Sequence, residues 1–261
     1  MWALDETALE LVQRTWYDTP FRAGIAPIDA VFPDGLPPRS VLEIYGDAAS
    51  PKTLLLLHLT AAFLVAQPDA EVYYFDHECN FDANEMRCIV GAAVPDTTAV
   101  ASVLQRLRLF QATSSHAFDQ HLRDLHAERI ASRRKSAHVL IVVDAISSFY
   151  HSDKAYALRV GEAIAATTDL FGQLRDFART HSAFVVVTKS SDTGKGWSHT
   201  EYMPAAWSAQ VTKRLYVRTR TSPGTAYPSA NQPSFQLRHF ADAQAHIVPF
   251  ALEGHRFVLL H

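Results

Sequence analysis

The stretch from residue 41 to residue 54 limits the possible folds more than any other part of the chain. It begins with a short apolar run, residues 41–45, of the kind that forms a buried strand. It leads into residues 54–66, which are good helix formers. Between the two lies a loop of the form Gly46-x-x-x-x-Pro51-Lys52-Thr53. A strand, a glycine-containing loop and a Lys-Thr pair at a helix start form the outline of a phosphate-binding loop.

This loop departs from a working phosphate-binding loop at two positions. Such loops read Gly-x-x-x-x-Gly-Lys-Ser/Thr, because backbone N–H groups must converge on the phosphates while the Lys and the hydroxyl contact the terminal phosphate and Mg²⁺. Pro51 replaces the second glycine and removes one N–H donor, and Asp47 adds a negative charge where phosphate charge would gather. The pattern indicates a phosphate site that lacks part of its phosphate chemistry, or a chance match in an ordinary α/β protein.

Length and composition indicate one large soluble domain. With 261 residues, 48% hydrophobic and 20% charged, the chain can bury a substantial core. The net charge of −3 gives no overall nucleic-acid signature, but residues 203–241 contain five basic side chains and no acidic one. A basic face of this kind either meets phosphates or is a solvated strand surface.

Cysteine usage and the apolar segments indicate a reducing, intracellular environment. The two cysteines, Cys79 and Cys88, give no zinc spacing and are expected to be buried thiols. The longest apolar run, residues 54–66, is too short to span a bilayer. Residues 1–20 are acidic and amphipathic, unlike a signal peptide, and residues 2–17 have the apolar spacing of a short docking helix. We therefore expect no membrane partner.

Strand and helix patterns alternate along the rest of the chain. Apolar runs predict strands at residues 72–75, 139–144 and 183–187, and helices are predicted at residues 116–131 and 161–179. The first of these helices should bury one apolar side, made of Phe118, Leu122, Leu125 and Ile130. Further strand patterns between residues 211 and 260 form a β-rich tail. This order predicts an α/β fold with a mostly parallel central sheet flanked by helices and a C-terminal antiparallel extension.

Three strand ends carry polar residues that an ATPase would need. Hydrolysis at a phosphate-binding loop requires an acid for the Mg²⁺ shell, a base for the attacking water and a sensor of the terminal phosphate. Asp144 ends one buried strand, Glu78 follows another, and Thr188-Lys189 closes a third. Each also has an ordinary explanation, as a strand-end acid, an exposed loop acid or a loop lysine. None of the thirteen histidines has a metal or triad spacing to Cys or Asp, so a triad enzyme has no support.

Four segments resemble the RecA-type recombinases. Residues 24–37 read Gly-Ile-x-x-Ile-Asp-x-x-Phe-x-Asp-Gly-Leu-Pro and resemble the Gly-Ile-x-x-Leu-Asp…Gly-Gly-Leu-Pro start of that core. Residues 75–81, Phe-Asp-His-Glu-Cys-Asn-Phe, resemble its Ile-Asp-Thr-Glu-Gly-Thr-Phe segment. Residues 140–150 resemble its Walker B strand, and Trp207-x-x-x-Val211-x-x-Arg214-Leu215 resembles the strand after its second DNA-binding loop. The resemblance implies a RecA-type P-loop ATPase core over residues 24–261, preceded by a docking segment at residues 1–23.

The resemblance also implies a nucleotide site made of Gly46, Lys52, Thr53 and Asp144. The last two of these residues would hold Mg²⁺, and Glu78 would be the catalytic carboxylate. Two departures count against turnover: Pro51 in the loop, and Lys189-Ser190 where recombinases have the Asn-Gln pair that links the terminal phosphate to DNA. The ATP and Mg²⁺ of the family are therefore expected to bind weakly or not at all, with the ATPase architecture kept as an assembly surface.

Within the family, the sequence points to the eukaryotic recombinase paralogues that assist homologous recombination. The core begins at Gly24, so the helical N-terminal domain of the main recombinase is not expected. The resemblance implies a nuclear subunit that assembles with other RecA-type paralogues and promotes recombinase filaments on single-stranded or branched DNA in double-strand-break repair. The predicted partner contacts are Trp16 and Phe21. The predicted DNA contacts are Lys189, Lys195, Lys213, Arg214, Arg218 and Arg220.

Two other functions are compatible with the sequence. The chain could be a DNA-stimulated ATPase that completes its site with a neighbouring subunit, using Lys52, Thr53, Asp144 and Glu78 despite Pro51. It could also be a RecA-like scaffold unrelated to DNA.

Overall fold

A β-sheet of nine strands forms the centre of the computed structural model, which describes residues 12, 19–47, 49–94, 96–132, 138–160, 165–190, 201–219, 234–239 and 246–260. In chain order the strands are β1 (Val41–Gly46), β2 (Glu71–Asp76), β3 (Leu107–Phe110), β4 (Val139–Asp144), β5 (Phe184–Ser190), β6 (Lys213–Thr219), β7 (Ser234–His239), β8 (His246–Glu253) and β9 (Arg256–Leu259). Across the sheet their order is β3-β2-β4-β5-β1-β6-β7-β8-β9.

The sheet changes from parallel to antiparallel at β6. All neighbouring pairs from β3 to β6 are parallel. The pairs from β6 to β9 are antiparallel. This confirms the predicted α/β fold with a mostly parallel central sheet and an antiparallel C-terminal extension.

The helices of the described residues are α1 (Ala26–Val31), α2 (Lys52–Ala66), α3 (Ala83–Ala93), α4 (Thr97–Leu104), α5 (Ser115–Ala131), α6 (Tyr150–Val160), α7 (Ala165–Thr180) and α8 (Ala205–Ser208). Asp82, Asp96 and Ser114 cap the starts of α3, α4 and α5 by accepting hydrogen bonds from backbone N–H groups of the first turn. Short polar residues before apolar runs thus set where these helices begin.

Both faces of the parallel strands are covered, which explains their mostly apolar sequences. Every residue of β1 and β4 is buried. One face packs against α2 through residues such as Leu59 and Phe63, and the other packs against α5 and α7 through residues such as Phe118 and Phe177. Ligand sites in parallel sheets form where loops leave the carboxyl ends of the strands, so a ligand site is expected at this edge.

Phe21, a predicted partner contact, belongs to the core of the chain itself. Its side chain is only 4% exposed. Its ring packs edge-on against Phe63 and Phe184, with ring centroids 4.9 and 5.9 Å away, and its backbone pairs with that of Leu36. This corrects the prediction, because a side chain enclosed by the core is not available to a partner. Trp16, the other predicted contact, lies outside the described residues.

Two features of the helices differ from the sequence predictions. Helix α6 was not predicted, because its sequence, Tyr-His-Ser-Asp-Lys-Ala-Tyr-Ala-Leu-Arg-Val, has no apolar stripe at helical spacing. In α5, Phe118, Leu122 and Leu125 are buried as predicted, but Ile130 is 65% exposed. Among the described residues, no helix combines the length and apolar character needed to cross a membrane.

Candidate functional site

The carboxyl edge of the parallel strands brings the predicted nucleotide residues together. Strands β1, β2, β4 and β5 run in the same direction, so the chain leaves all four at the same edge. Gly46 ends β1, Asp144 ends β4, and Glu78 follows β2 closely. Parallel pairing of the strands thus brings residues that are far apart in the sequence to one site.

Gly46 is required by its close approach to the neighbouring strand. It pairs with Val217 of β6. A Cβ atom at this position would lie 1.8 Å from the carbonyl oxygen of Val217. Only glycine fits, so the start of the phosphate-binding loop is fixed by backbone packing as well as by any ligand.

The ammonium of Lys52 is held by oxygens of its own loop. Its Nζ donates to the carbonyl oxygens of Gly46 and Asp47, at 3.1 and 2.6 Å, and to the Oγ of Ser50 at 3.2 Å. Burial lowers the pKa of Lys52, and the nearby carboxylates of Asp144, Asp47 and Glu78 oppose that shift. A phosphate arriving at this loop would have to replace these three acceptors.

The backbone donors of residues 50–52 are engaged or missing. The N–H of Ser50 donates to the carbonyl oxygen of Asp47 at 3.0 Å, and that of Lys52 donates to the carbonyl oxygen of Ser50 at 2.8 Å. Pro51 has no N–H group. A working phosphate-binding loop directs such donors at the phosphates. The backbone of this loop therefore fits a phosphate chain less well than its side chains do.

Asp144 and Thr53, the predicted Mg²⁺ pair, are in direct contact. The Oγ1 of Thr53 donates to Oδ2 of Asp144 at 2.7 Å. Two further hydroxyls donate to this carboxylate, those of Tyr74 at 3.3 Å and of Thr188. A hydroxyl beside a carboxylate is a suitable pair for Mg²⁺, which typically takes one or two protein ligands together with phosphate oxygens. Among the described residues, no group of three or more His, Cys, Asp or Glu side chains is arranged to hold a metal ion.

Glu78 lies exposed at the same edge, as a water-activating carboxylate would. The hydroxyl of Ser148 donates to its Oε1 at 3.1 Å, and the amide of Asn80 donates to its Oε2 at 3.3 Å. The turn that carries Glu78 is fixed by the buried carboxylate of Asp76, which accepts the N–H groups of Asn80 and Phe81 at 3.0 Å each. The carboxylate thus has a defined position between the ends of β2 and β4.

Lys189, predicted to contact DNA and to sense phosphate, is fully buried. Its side chain is 0% exposed, and its Nζ lies 3.1 Å from Oε1 of Glu43 and 2.9 Å from both carboxylate oxygens of Glu201. An ammonium enclosed in this way does not reach a DNA backbone. This corrects the prediction for Lys189, because the residue forms buried ion pairs instead.

The other predicted DNA contacts differ in what surrounds them. Arg214, 28% exposed, donates to Glu43 and Glu201 at 2.9 Å each. Lys213 lies over the ring of Phe32 at 5.9 Å. Arg218 is half-buried and donates to Oε1 of Gln236. Lys195 and Arg220 lie outside the described residues.

Sequence reasoning missed three residues that surround Lys189. Glu43 is 0% exposed although it is a carboxylate in the middle of β1. The indole Nε1 of Trp207 donates to Oε2 of Glu43 at 2.6 Å, and Glu201 completes the group from beyond β5. A glutamate inside an otherwise apolar strand was the available signal, since buried charges are nearly always paired.

Comparison with known proteins adds a distant relative over most of the chain. No family model matches. The DNA repair and recombination protein RadB of Halobacterium salinarum, from each of two strains, is 24% identical over 231 residues, which cover 84% of this chain and 93% of RadB. This similarity supports the RecA-type recombinase family. The parallel sheet with its antiparallel extension is consistent with a RecA-like core.

Proposed function

We propose that the protein is a recombinase-paralogue subunit of homologous recombination and DNA double-strand-break repair. It would assemble with other RecA-type paralogues and promote recombinase filament formation on single-stranded DNA. The observation that carries this proposal is the phosphate-binding loop of a RecA-like core whose own groups hold Lys52 and engage the N–H groups of Ser50 and Lys52. This core keeps the ATPase architecture, but the lysine and the backbone donors of its loop are already bonded within the loop. Such a core is better suited to assembly with other subunits than to rapid ATP turnover.

We propose further that this subunit belongs to the eukaryotic, nuclear branch of the paralogues. The Ser147-x-Phe149-Tyr150 sequence after Asp144 and the Phe81-Asp82 pair resemble the short paralogue X-ray repair cross-complementing protein two. The RadB similarity supports only the wider family and repair role. A tagged chain excluded from the nuclei of eukaryotic cells that carry its partners would contradict the nuclear assignment.

In this proposal, ATP with Mg²⁺ binds weakly. Lys52 would contact the terminal phosphates, and Thr53 with Asp144 would hold the Mg²⁺, which supplies charge neutralisation at the phosphates. Lys52 must first leave the carbonyl oxygens of Gly46 and Asp47. This exchange of partners, together with the donor lost at Pro51, reduces the affinity for phosphate.

Helix α6 supports the single-stranded DNA part of the proposal. Its exposed face carries Tyr156 and Leu158, which are 57% and 76% exposed. The guanidinium of Arg159 lies 5.5 Å from the ring centre of Tyr156, and the ammonium of Lys154 lies 5.7 Å from that of Tyr150. Aromatic rings beside cations are the usual surface for single strands, because bases stack on the rings while the cations meet phosphates. The helix follows β4 at the carboxyl edge.

Binding of a fluorescent oligonucleotide to the paralogue complex tests this function. The double variant Lys154→Glu/Arg159→Glu should weaken single-strand binding at least tenfold and reduce its salt dependence. The matched control, Arg87→Glu/Arg256→Glu, makes the same charge change at exposed sites on α3 and β9 and should bind like the wild type. Wild-type affinity in the α6 variant would remove the support from this helix. A complex that binds no single-stranded or branched DNA would favour a scaffold unrelated to DNA.

A second candidate function is a DNA-stimulated ATPase whose site a neighbouring subunit completes. The observation in its favour is Glu78, held by Ser148 at the same edge as Thr53 and Asp144. Phosphate release by the complex with single-stranded DNA would be measured for the wild type and for Glu78→Gln. Turnover that disappears in the variant favours the enzyme, whereas no turnover with any partner or DNA eliminates it.

A further inference from the structure

The carbonyl oxygen of Asp47 accepts several donors of the phosphate-binding loop. The N–H and the Oγ of Ser50 donate to it at 3.0 and 2.6 Å, and the Nζ of Lys52 donates to it at 2.6 Å. In a working phosphate-binding loop, donors of these kinds converge on phosphate oxygens. One backbone oxygen of the chain thus takes three donors that a bound phosphate would need.

Strand β6, which pairs with β1 beside this loop, makes two side-chain hydrogen bonds to it. The hydroxyl of Tyr216 donates to Oδ1 of Asp47 at 3.1 Å. The hydroxyl of Thr219 donates to the carbonyl oxygen of Ala49 at 3.3 Å. We call these two hydrogen bonds the β6 contacts. They engage the residue that supplies the internal acceptor and a second residue of the same loop.

The ring of Tyr216 is held firmly by the sheet. Tyr216 is 2% exposed, and its ring centroid lies 5.1 Å from that of Tyr45, the residue opposite it on β1. Burial raises the pKa of Tyr216, and the negative charge of Asp47 raises it further, so at neutral pH the hydroxyl is a proton donor to that carboxylate. A ring packed in this way cannot follow Asp47, so a movement of Asp47 breaks the hydrogen bond.

We propose that Tyr216 and Thr219 are positioning residues that keep the carbonyl oxygen of Asp47 in place of a phosphate. A phosphate takes the donors of Ser50 and Lys52 only after Asp47 has moved, and that movement breaks the β6 contacts. The fraction of molecules ready to bind phosphate is thereby reduced, and the apparent affinity falls by the same factor. The inference explains the weak ATP binding of the proposed function and rests on that function for the identity of the ligand.

A double-mutant cycle in urea unfolding tests the contact between Tyr216 and Asp47 without any ligand. The variants are Tyr216→Phe, Asp47→Ala and their combination. The combined variant should lose less stability than the sum of the single losses, because each single change removes the same hydrogen bond. The control cycle combines Asp47→Ala with Tyr73→Phe, which removes a hydroxyl bonded to Glu71, and should be additive. Additive losses at Tyr216 and Asp47 would overturn the inference.

Amide hydrogen exchange of Ser50, followed by NMR, tests the positioning directly. Its N–H is protected by the carbonyl oxygen of Asp47. In Tyr216→Phe, and in Thr219→Val, this amide should exchange several-fold faster than in the wild type, because Asp47 moves away more often. In Tyr73→Phe its exchange rate should be that of the wild type. An unchanged rate in both β6 variants would show that strand β6 does not hold the loop.

Calorimetric titration with Mg-ATP tests the competition with phosphate. Tyr216→Phe should bind about twofold to tenfold more tightly than the wild type, because one hydrogen bond fewer opposes the movement of Asp47. The matched control Tyr73→Phe also removes a tyrosine hydroxyl that donates to a carboxylate, and its affinity should be unchanged. Wild-type affinity in Tyr216→Phe, or no binding by that variant, would overturn the inference.

DNA binding by the assembled paralogue complex separates this inference from the proposed function. If Tyr216→Phe gains affinity for Mg-ATP while the complex binds no single-stranded DNA, the proposed function fails and the positioning role of β6 stands. If the complex binds single-stranded DNA while Tyr216→Phe binds Mg-ATP like the wild type, the proposed function stands and the positioning role is wrong.

Discussion

At the scale of single residues, Pro51 decides how much phosphate chemistry the loop retains. Its φ and ψ of −80° and 44° are open to other residues, so Pro51→Ala should restore an N–H donor without changing the loop path. One regained donor to a charged phosphate is worth about 1–3 kcal/mol, roughly a fivefold or greater gain in Mg-ATP affinity. Calorimetric titration measures this gain, and Lys52→Ala, which removes the cation, is the negative control. Unchanged affinity in both Pro51→Ala and Pro51→Gly would show that the missing donor is not the limiting factor.

A second prediction at the scale of single residues concerns Gly46. In Gly46→Ala the new Cβ would meet the Val217 carbonyl oxygen at 1.8 Å, a backbone atom that cannot turn aside. The variant should lose about 2–4 kcal/mol of unfolding free energy. The matched control is Gly91→Ala in α3, where nothing lies within 4 Å and the helix should gain about 0.5–1 kcal/mol. Similar unfolding midpoints for the two variants in urea would contradict this packing of β1 against β6.

Three half-buried histidines predict how the free energy of unfolding depends on pH. Burial lowers the pKa of His58, His77 and His181 to about 4, from an ordinary value of 6.5. Between these values the unfolded chain takes up protons that the folded chain does not, so the free energy of unfolding should fall as pH decreases from 6.5 to 4. Urea unfolding across this range measures the slope. His58→Phe should reduce the slope by up to one proton, and an unchanged slope would remove His58 from the explanation.

At the scale of secondary-structure elements, the sequence predicted the strands that are buried on both faces of the sheet. The segments that form β1, β4 and β5 are mostly apolar because helices cover both sides of these strands, so the sequence predicted where the strands lie. Helix α6 could not be predicted from the sequence, since its exposed face gives no apolar stripe. Ile130 continues the stripe of α5 but is exposed, because periodicity identifies a helix face without showing how far the neighbouring elements extend.

The side chains of α5 give a direct check of this distinction. Leu125→Ala should cost about 2–4 kcal/mol, because Leu125 is 2% exposed within the second core. Ile130→Ala, which also shortens an aliphatic side chain on the same helix, should stay within about 0.5 kcal/mol because its side chain is already exposed. Equal losses in thermal or urea unfolding would place Ile130 in the core and contradict the structure at this end of α5.

At the scale of the whole molecule, the nucleotide residues were predictable, but the buried ion pairs of Lys189 with Glu43 and Glu201 were not. Gly46, Lys52 and Thr53 lie in one short motif, and Asp144 and Glu78 each follow a recognisable strand. Lys189 meets Glu43 only because β5 pairs with β1, and it meets Glu201 only because the chain returns beyond β5. Such pairings depend on strand order and register, which local patterns do not contain.

The last prediction concerns Glu43, which joins three neighbouring parallel strands, β5, β1 and β6. From the middle of β1 it contacts Lys189 on β5, Arg214 on β6 and the indole of Trp207. Glu43→Gln keeps the size and one acceptor but removes the charge, so two cations would share Glu201 alone. The variant should lose about 3–5 kcal/mol of unfolding free energy.

Urea unfolding followed by tryptophan fluorescence measures this loss, because Trp207 is 0% exposed and donates a hydrogen bond to Glu43. The control is Glu128→Gln, which removes a charge from the exposed pair with Arg108 and should change stability by no more than about 1 kcal/mol. If Glu43→Gln does not fold, Glu43→Gln/Lys189→Met restores neutrality around Arg214 and Glu201 and should fold better than the single variant. A loss below about 1 kcal/mol in Glu43→Gln would mean that packing, not paired charge, holds β5, β1 and β6 together at this point.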